Sequence, residues 1–188
     1  MIIEKILSLL PILTNFDILL NKEIINLWNP LITKLMILIS YLFDPLVIII
    51  LSIIIAIIIY KKQPKKSLFL LFSISLGTIS LILLKMLIHR GRPINSLIHE
   101  TGYSFPSGHA VLTTIFFLFL IYIFKDNIKN TFKKYLFISS NILLIVIVAF
   151  DRIYLNVHWF SDILAGISLG LFWVTFLFLI FKIKTKSF

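Results

Sequence analysis

Apolar residues run almost unbroken through most of this chain, and the polar interruptions are short and clustered. Uninterrupted runs cover 45–60, 67–84, 110–124, 135–150 and 163–181. Each is close to the roughly 20 residues that cross a bilayer core once its flanks are counted. Alternation with period two is absent, so the pattern predicts helices: an all-α polytopic bundle of about five membrane spans, or six if the N-terminal part supplies another. Several runs are short, and the helices are expected to extend into the polar flanks. Residues 1–44 are broken at Pro11, Asn29-Pro30 and Asp44-Pro45 into pieces short for spanning. They read as an N-terminal interfacial segment ahead of a transmembrane domain over 45–188. The stretch 31–43 either lies at the interface or lengthens the first span through a bend near Pro45.

Composition fits this class: 188 residues, 60% hydrophobic and 14% charged, with a mean hydropathy of +1.06. There is no cysteine, which removes disulfides, thiolate metal sites and a cysteine nucleophile. Glu4 in the would-be basic region, with no small-residue cleavage pattern after it, argues against a cleaved signal peptide. No internal repeat is visible.

Charge sets the expected orientation. Lys61, Lys62, Lys65 and Lys66, then Lys125, Lys129, Lys133 and Lys134, then Lys182, Lys184 and Lys186 hold 11 of the 18 basic residues, against the single acid Asp126. In a five-span arrangement these segments share one face, and the positive-inside rule assigns it to the cytoplasm. The opposite face has seven basic and seven acidic residues. The net charge of +10 then reads as a topology signal and as contact with anionic membrane lipids; a nucleic-acid partner is not expected.

Three polar clusters lie on that neutral face. Lys85 and Arg92-Pro93 combine a mobile point charge with a planar fork, a mixture suited to a phosphoryl group, although snorkelling and headgroup contact by Lys85, Arg90 and Arg92 would look the same in isolation. Pro106-Ser107-Gly108-His109 starts the third run. It reads as an ordinary N-cap or as an anion cradle made by helix N–H groups, with His109 one residue beyond. Arg152, His158 and Asp162 flank the last junction. His and Asp four apart share a helical face, and a carboxylate on one ring nitrogen fixes the tautomer and raises the nucleophilicity of the other; the plain alternative is a helix cap beside an interfacial histidine. His89 and His99-Glu100 lack metal-ligand spacing, and no metal or other cofactor is expected. Gly166 and Gly170, four apart, predict close helix packing.

In order and spacing, Lys85-x6-Arg92-Pro93, Pro106-Ser107-Gly108-His109 and Arg152-x5-His158-x3-Asp162 resemble the three-part signature of the type 2 phosphatidic acid phosphatase superfamily, over about residues 67–183. The short length is similar to that of small bacterial members, including undecaprenyl-diphosphate phosphatases. The resemblance implies a metal-independent lipid phosphatase in a bacterial inner membrane with its site facing outward. His158 would be the nucleophile, Asp162 its orienting group and His109 the acid, with Lys85, Arg92, Ser107, Gly108 and Arg152 binding phosphate. The implied substrate is a lipid phosphate or diphosphate, undecaprenyl diphosphate first, with phosphatidylglycerophosphate, phosphatidic acid or a lipid A phosphate as alternatives. A non-catalytic lipid-phosphate binder or transporter is a further alternative, one with no use for an oriented nucleophile and an acid. Asp151 stands where the family commonly has serine, and is expected either to repel phosphate or to orient Arg152. Against six-span members, the N-terminal part reads as lacking their first span.

Overall fold

The computed structural model describes residues 2–185, with side chains over 13–181. The side chains of Glu4, Pro11 and the tail lysines therefore lie outside the described residues. Seven α-helices follow in order: α1 Ile2–Ile24, α2 Pro30–Leu42, α3 Pro45–Tyr60, α4 Pro64–Ile88, α5 Gly108–Phe124, α6 Thr131–Tyr154 and α7 Phe160–Thr185. No strand occurs among the described residues.

Local chemistry explains most of the helix starts. Pro30, Pro45 and Pro64 each occupy the first turn of a helix, where the missing N–H costs nothing. Asn29 caps α2 by accepting from Leu31 N at 2.9 Å, and Asp44 caps α3 by accepting from Leu46 N at 2.8 Å. Asn130 does the same for α6 through Lys133 N at 2.9 Å. Pro11 departs from expectation: α1 runs through it without a break. One lost backbone bond is tolerable in a helix whose remaining bonds are intact.

Four helices, α4, α5, α6 and α7, are each long and apolar enough to cross a bilayer. Alone, α3 rises only about 24 Å, short of the hydrocarbon core. It meets α2 at a 45° bend, and the pair together meets the length and apolarity of a fifth crossing. The stretch 31–43 thus has the geometry of a bent extension of the first span.

The bundle is built around α5, whose crossing segment is 67% buried, against 22–39% for the other three long helices. Ile48, Leu70, Val111, Leu112, Ile115 and Phe119 fill the core, all nearly inaccessible. The two glycines of α7 let it lie against α5: a Cβ at Gly166 would come within 2.8 Å of both Ala110 Cβ and Ser107 O, and one at Gly170 within 2.8 Å of Thr114 Cβ. Several buried hydroxyls bond back to backbone carbonyls, as Ser52 does to Ile48 O and Ser73 to Phe69 O, both at 2.7 Å, whereas buried Thr114 Oγ1 has no such partner among the described residues. This packing brings the C-termini of α4 and α6 and the N-termini of α5 and α7 to one end. The lysines at 61–66 and 125–134 lie at the other.

Candidate active site

The short connection from α6 to α7 carries His158. Asn156 takes the left-handed conformation (φ 57°) that turns the chain there. Asp162, in the first turn of α7, reaches back to accept the Trp159 N–H at 3.0 Å, as a capping carboxylate does. The same Oδ2 stands 3.4 Å from His158 Nδ1. On the other side of the ring, Arg92 Nη1 is 3.3 Å from Nε2. Since a guanidinium only donates, Nε2 accepts and Nδ1 carries the proton toward Asp162. The imidazole is 4% exposed. Burial pushes its pKa down to about 4, the Asp162 bond opposing and the Arg92 charge reinforcing that shift.

The N-terminus of α5 supplies the second part. Ser107 caps the helix, and its N–H donates to the Asp162 carbonyl at 3.0 Å, tying α5 to the first turn of α7. The next N–H groups belong to the turn that has no intrahelical acceptor, the ordinary setting for an anion. The missing Cβ of Gly108 would face Leu81 and Pro45 at 3.3 and 3.6 Å, so its small size serves helix packing. His109 is 5% exposed, with Nε2 3.3 Å from Ser40 O on α2 and Nδ1 3.4 Å from Arg152 Nη1. By the same donor logic, Nδ1 accepts and Nε2–H points at the carbonyl.

The cations come from three directions. Arg92 is clamped by carbonyls: Nε to Gly102 O at 3.1 Å, Nη2 to Thr101 O at 3.1 Å and Nη1 to Val157 O at 2.9 Å. Lys85 Nζ donates to Tyr103 O and lies within electrostatic reach of Arg92, Glu100 and Asp162. Arg152 is fully buried and donates from Nε to Asp151 Oδ2 at 2.8 Å, with Nη2 on the same oxygen. Asp151 is thus turned onto the guanidinium, the second of its two expected placements.

Sequence reasoning missed four residues here. Glu100 spans two of the cations, 3.3 Å from Arg152 Nη1 and 3.7 Å from Arg92 Nη2. Ser40 holds His109. Arg90 does not reach for headgroups: Nη1 lies 2.6 Å from Asp162 Oδ1 and Nη2 lies 2.7 Å from Asp17 Oδ2. Asp17 and Ser40 carry no motif, and only the fold brings them to the site; the spacing Arg90-x-Arg92 was the one available signal. All eight residues expected from the sequence do gather at this end of the bundle. Among the described residues, no three His, Asp or Glu side chains are grouped as a metal would require.

Comparison with known proteins bears on the family and the fold. The chain is 36% identical over 107 residues to phosphatidylglycerophosphatase B of Bacillus subtilis, covering 54% of this chain and 52% of that protein. It is 36% identical over 77 residues to an undecaprenyl-diphosphatase of Sulfolobus acidocaldarius, covering 41% of this chain and 32% of that protein. The chain thus aligns with about half the length of the first relative and a third of the second. Among solved structures, a transmembrane PAP2-type phosphatidylglycerolphosphate phosphatase from Bacillus subtilis superposes with a TM-score of 0.82 at 28% identity, over 93% of this chain and 88% of that one. Aquifex aeolicus LpxE superposes with a TM-score of 0.69 at 23% identity, over 86% and 93% of the two chains, a likeness of fold. The family model of the PAP2 superfamily matches residues 45–186, and by that match the chain is an integral membrane member of the PAP2 superfamily.

Proposed function

We propose that this chain is a membrane lipid phosphatase working through a phosphohistidine on His158, with undecaprenyl diphosphate as its substrate. The observation that carries the reading is the polarised imidazole: Asp162 on Nδ1, and an Nε2 lone pair that faces the Arg92 guanidinium at 3.3 Å. A simple binder of headgroups needs cations but no oriented nucleophile. Nε2 attacks phosphorus in line, the bond to the leaving oxygen breaks, and His109, protonated once the charge of the bound phosphate lies beside it, gives that oxygen a proton and becomes neutral. Lys85, Arg92, Arg152 and the N–H groups after Ser107 hold the nonbridging oxygens as charge builds. His109 then takes a proton from water, whose oxygen attacks the phosphohistidine and frees phosphate. No step passes through a metal.

Phosphatidylglycerophosphate is the second reading, favoured by the likeness to the Bacillus subtilis phosphatase over nearly the whole chain. The opposite placement of the lysine-rich ends and the site supports an outward-facing, extracytoplasmic active site in the inner membrane. The test is phosphate release by purified protein in detergent, with chelator, from undecaprenyl diphosphate, phosphatidylglycerophosphate, phosphatidic acid and a lipid A phosphate. Fastest turnover of the diphosphate is expected. Fastest turnover of phosphatidylglycerophosphate would install the second reading, and no release from any of the four would overturn the enzyme reading.

A further inference from the structure

The carboxylate of Asp17, on α1, is 2% exposed. Burying such a charge is costly unless it is paired and hydrogen-bonded. Among the described residues, it is bonded to Ser161 and Arg90, and both lead to the catalytic dyad. Its Oδ1 accepts the Ser161 N–H at 2.9 Å, in the first turn of α7, so a residue 144 positions away helps to cap the helix that carries Asp162. Its Oδ2 accepts from Ser161 Oγ at 2.5 Å and from Arg90 Nη2 at 2.7 Å. Arg90 in turn donates from Nη1 to Ser161 Oγ and to Asp162 Oδ1, both at 2.6 Å. With Oδ1 of Asp162 taken by Arg90, Oδ2 is the oxygen left for Trp159 N and His158 Nδ1.

An arginine between two carboxylates is fixed at both ends of its fork. Without Asp17, Arg90 would keep its Asp162 and Ser161 bonds, and its guanidinium, on a side chain 25% exposed, could swing outward and take the carboxylate with it. The Trp159 ring, 5.4 Å from the guanidinium, closes the remaining side.

We propose that Asp17 is a positioning residue for the reaction: through Arg90 and Ser161 it fixes the rotamer of Asp162, and it makes the N-terminal helix part of the active site. This rests on the phosphatase reading above. Asp17 bonds to Arg90 and Ser161 and acts on the reacting atoms through them, so its loss is expected to act on the chemical step.

The test compares Asp17→Asn, Asp17→Glu and Asn21→Ala with wild type, by steady-state kinetics on the fastest substrate of the panel and by thermal melting in detergent. Asn21 is another α1 side chain bonded at this end, to Asn156, and its loss loosens α1 without touching Arg90. Asp17→Asn is expected to lower kcat by about tenfold or more while KM stays within about twofold, as loss of a transition-state interaction does. Asp17→Glu should recover part of that loss, and Asn21→Ala should stay within about twofold of wild-type kcat. In an Asp162→Asn background, adding Asp17→Asn should change kcat by less than about twofold, because the group it positions is already neutral. A wild-type kcat in Asp17→Asn, an equal loss in Asn21→Ala, or full additivity with Asp162→Asn would each overturn the inference while leaving the phosphatase reading intact. An inactive wild-type protein would overturn both.

Discussion

His158 Nδ1 lies 3.4 Å from Asp162 Oδ2, one helical turn along the chain, and this pair leaves Nε2 as the ring nitrogen that carries the lone pair. His158→Ala is expected to reduce turnover by at least about 10^4-fold, and Asp162→Asn by on the order of 10^3-fold, as when an orienting carboxylate is neutralised elsewhere. Both variants should insert and melt as folded proteins. Kinetics and melting of the purified variants check this, and a well-folded His158→Ala enzyme with substantial activity would remove the nucleophile from the account.

The same ring sets the acid side of the pH profile. Burial holds His158 neutral down to about 4, whereas an ordinary histidine protonates near 6.5. In the proposed mechanism the neutral form is the nucleophile, so kcat/KM should persist well below pH 6.5 and lose this nucleophile as pH drops through about 4. Stability has the same sign: between those two values the unfolded chain binds a proton that the folded one does not, so stability falls as pH falls. A kcat/KM profile on a lipid monophosphate, with detergent and ionic strength fixed, measures the limb directly.

Glu100 pairs with both Arg92 and Arg152, the guanidiniums that the proposed mechanism assigns to the phosphate. It is 28% exposed, so the ion pairs are partly screened. Glu100→Gln should lower KM by about fivefold, equivalent to about 1 kcal/mol for such a pair. Inhibition by vanadate should tighten in parallel. A raised KM would instead make Glu100 a contributor to substrate binding.

Much of this was visible in the chain. The run 45–60 coincides with α3, and the other four runs grew at their ends into the motif flanks, as α4 did to Ile88 and α6 to Tyr154. His158, Asp162, Lys85, Arg92 and Arg152 stand at fixed spacings beside apolar runs, which made them legible. Asp17, Ser40 and Glu100 were not, because each acts through a tertiary contact: a lone Asp in a greasy helix, a serine carbonyl and a loop carboxylate have no local pattern. The passage of α1 through Pro11 was missed for a different reason, since proline's cost is a propensity that surrounding structure can override.

Orientation can be read with two cysteines in a chain that has none of its own. Asn95 is exposed at the site end, and Asn127 is exposed in the lysine-rich connection between α5 and α6. Asn95→Cys should react with a membrane-impermeant thiol reagent added to intact spheroplasts, and Asn127→Cys only after permeabilisation. The reverse pattern would put the site on cytoplasmic-leaflet lipid.

Capture of the covalent intermediate tests the central claim most directly. Wild-type protein mixed with a lipid whose terminal phosphate is radiolabelled, then quenched in alkali, should carry an acid-labile, alkali-stable label on the peptide containing His158, and the His158→Ala variant should carry none. Label on any other residue, or phosphate release that persists in His158→Ala, would contradict the account.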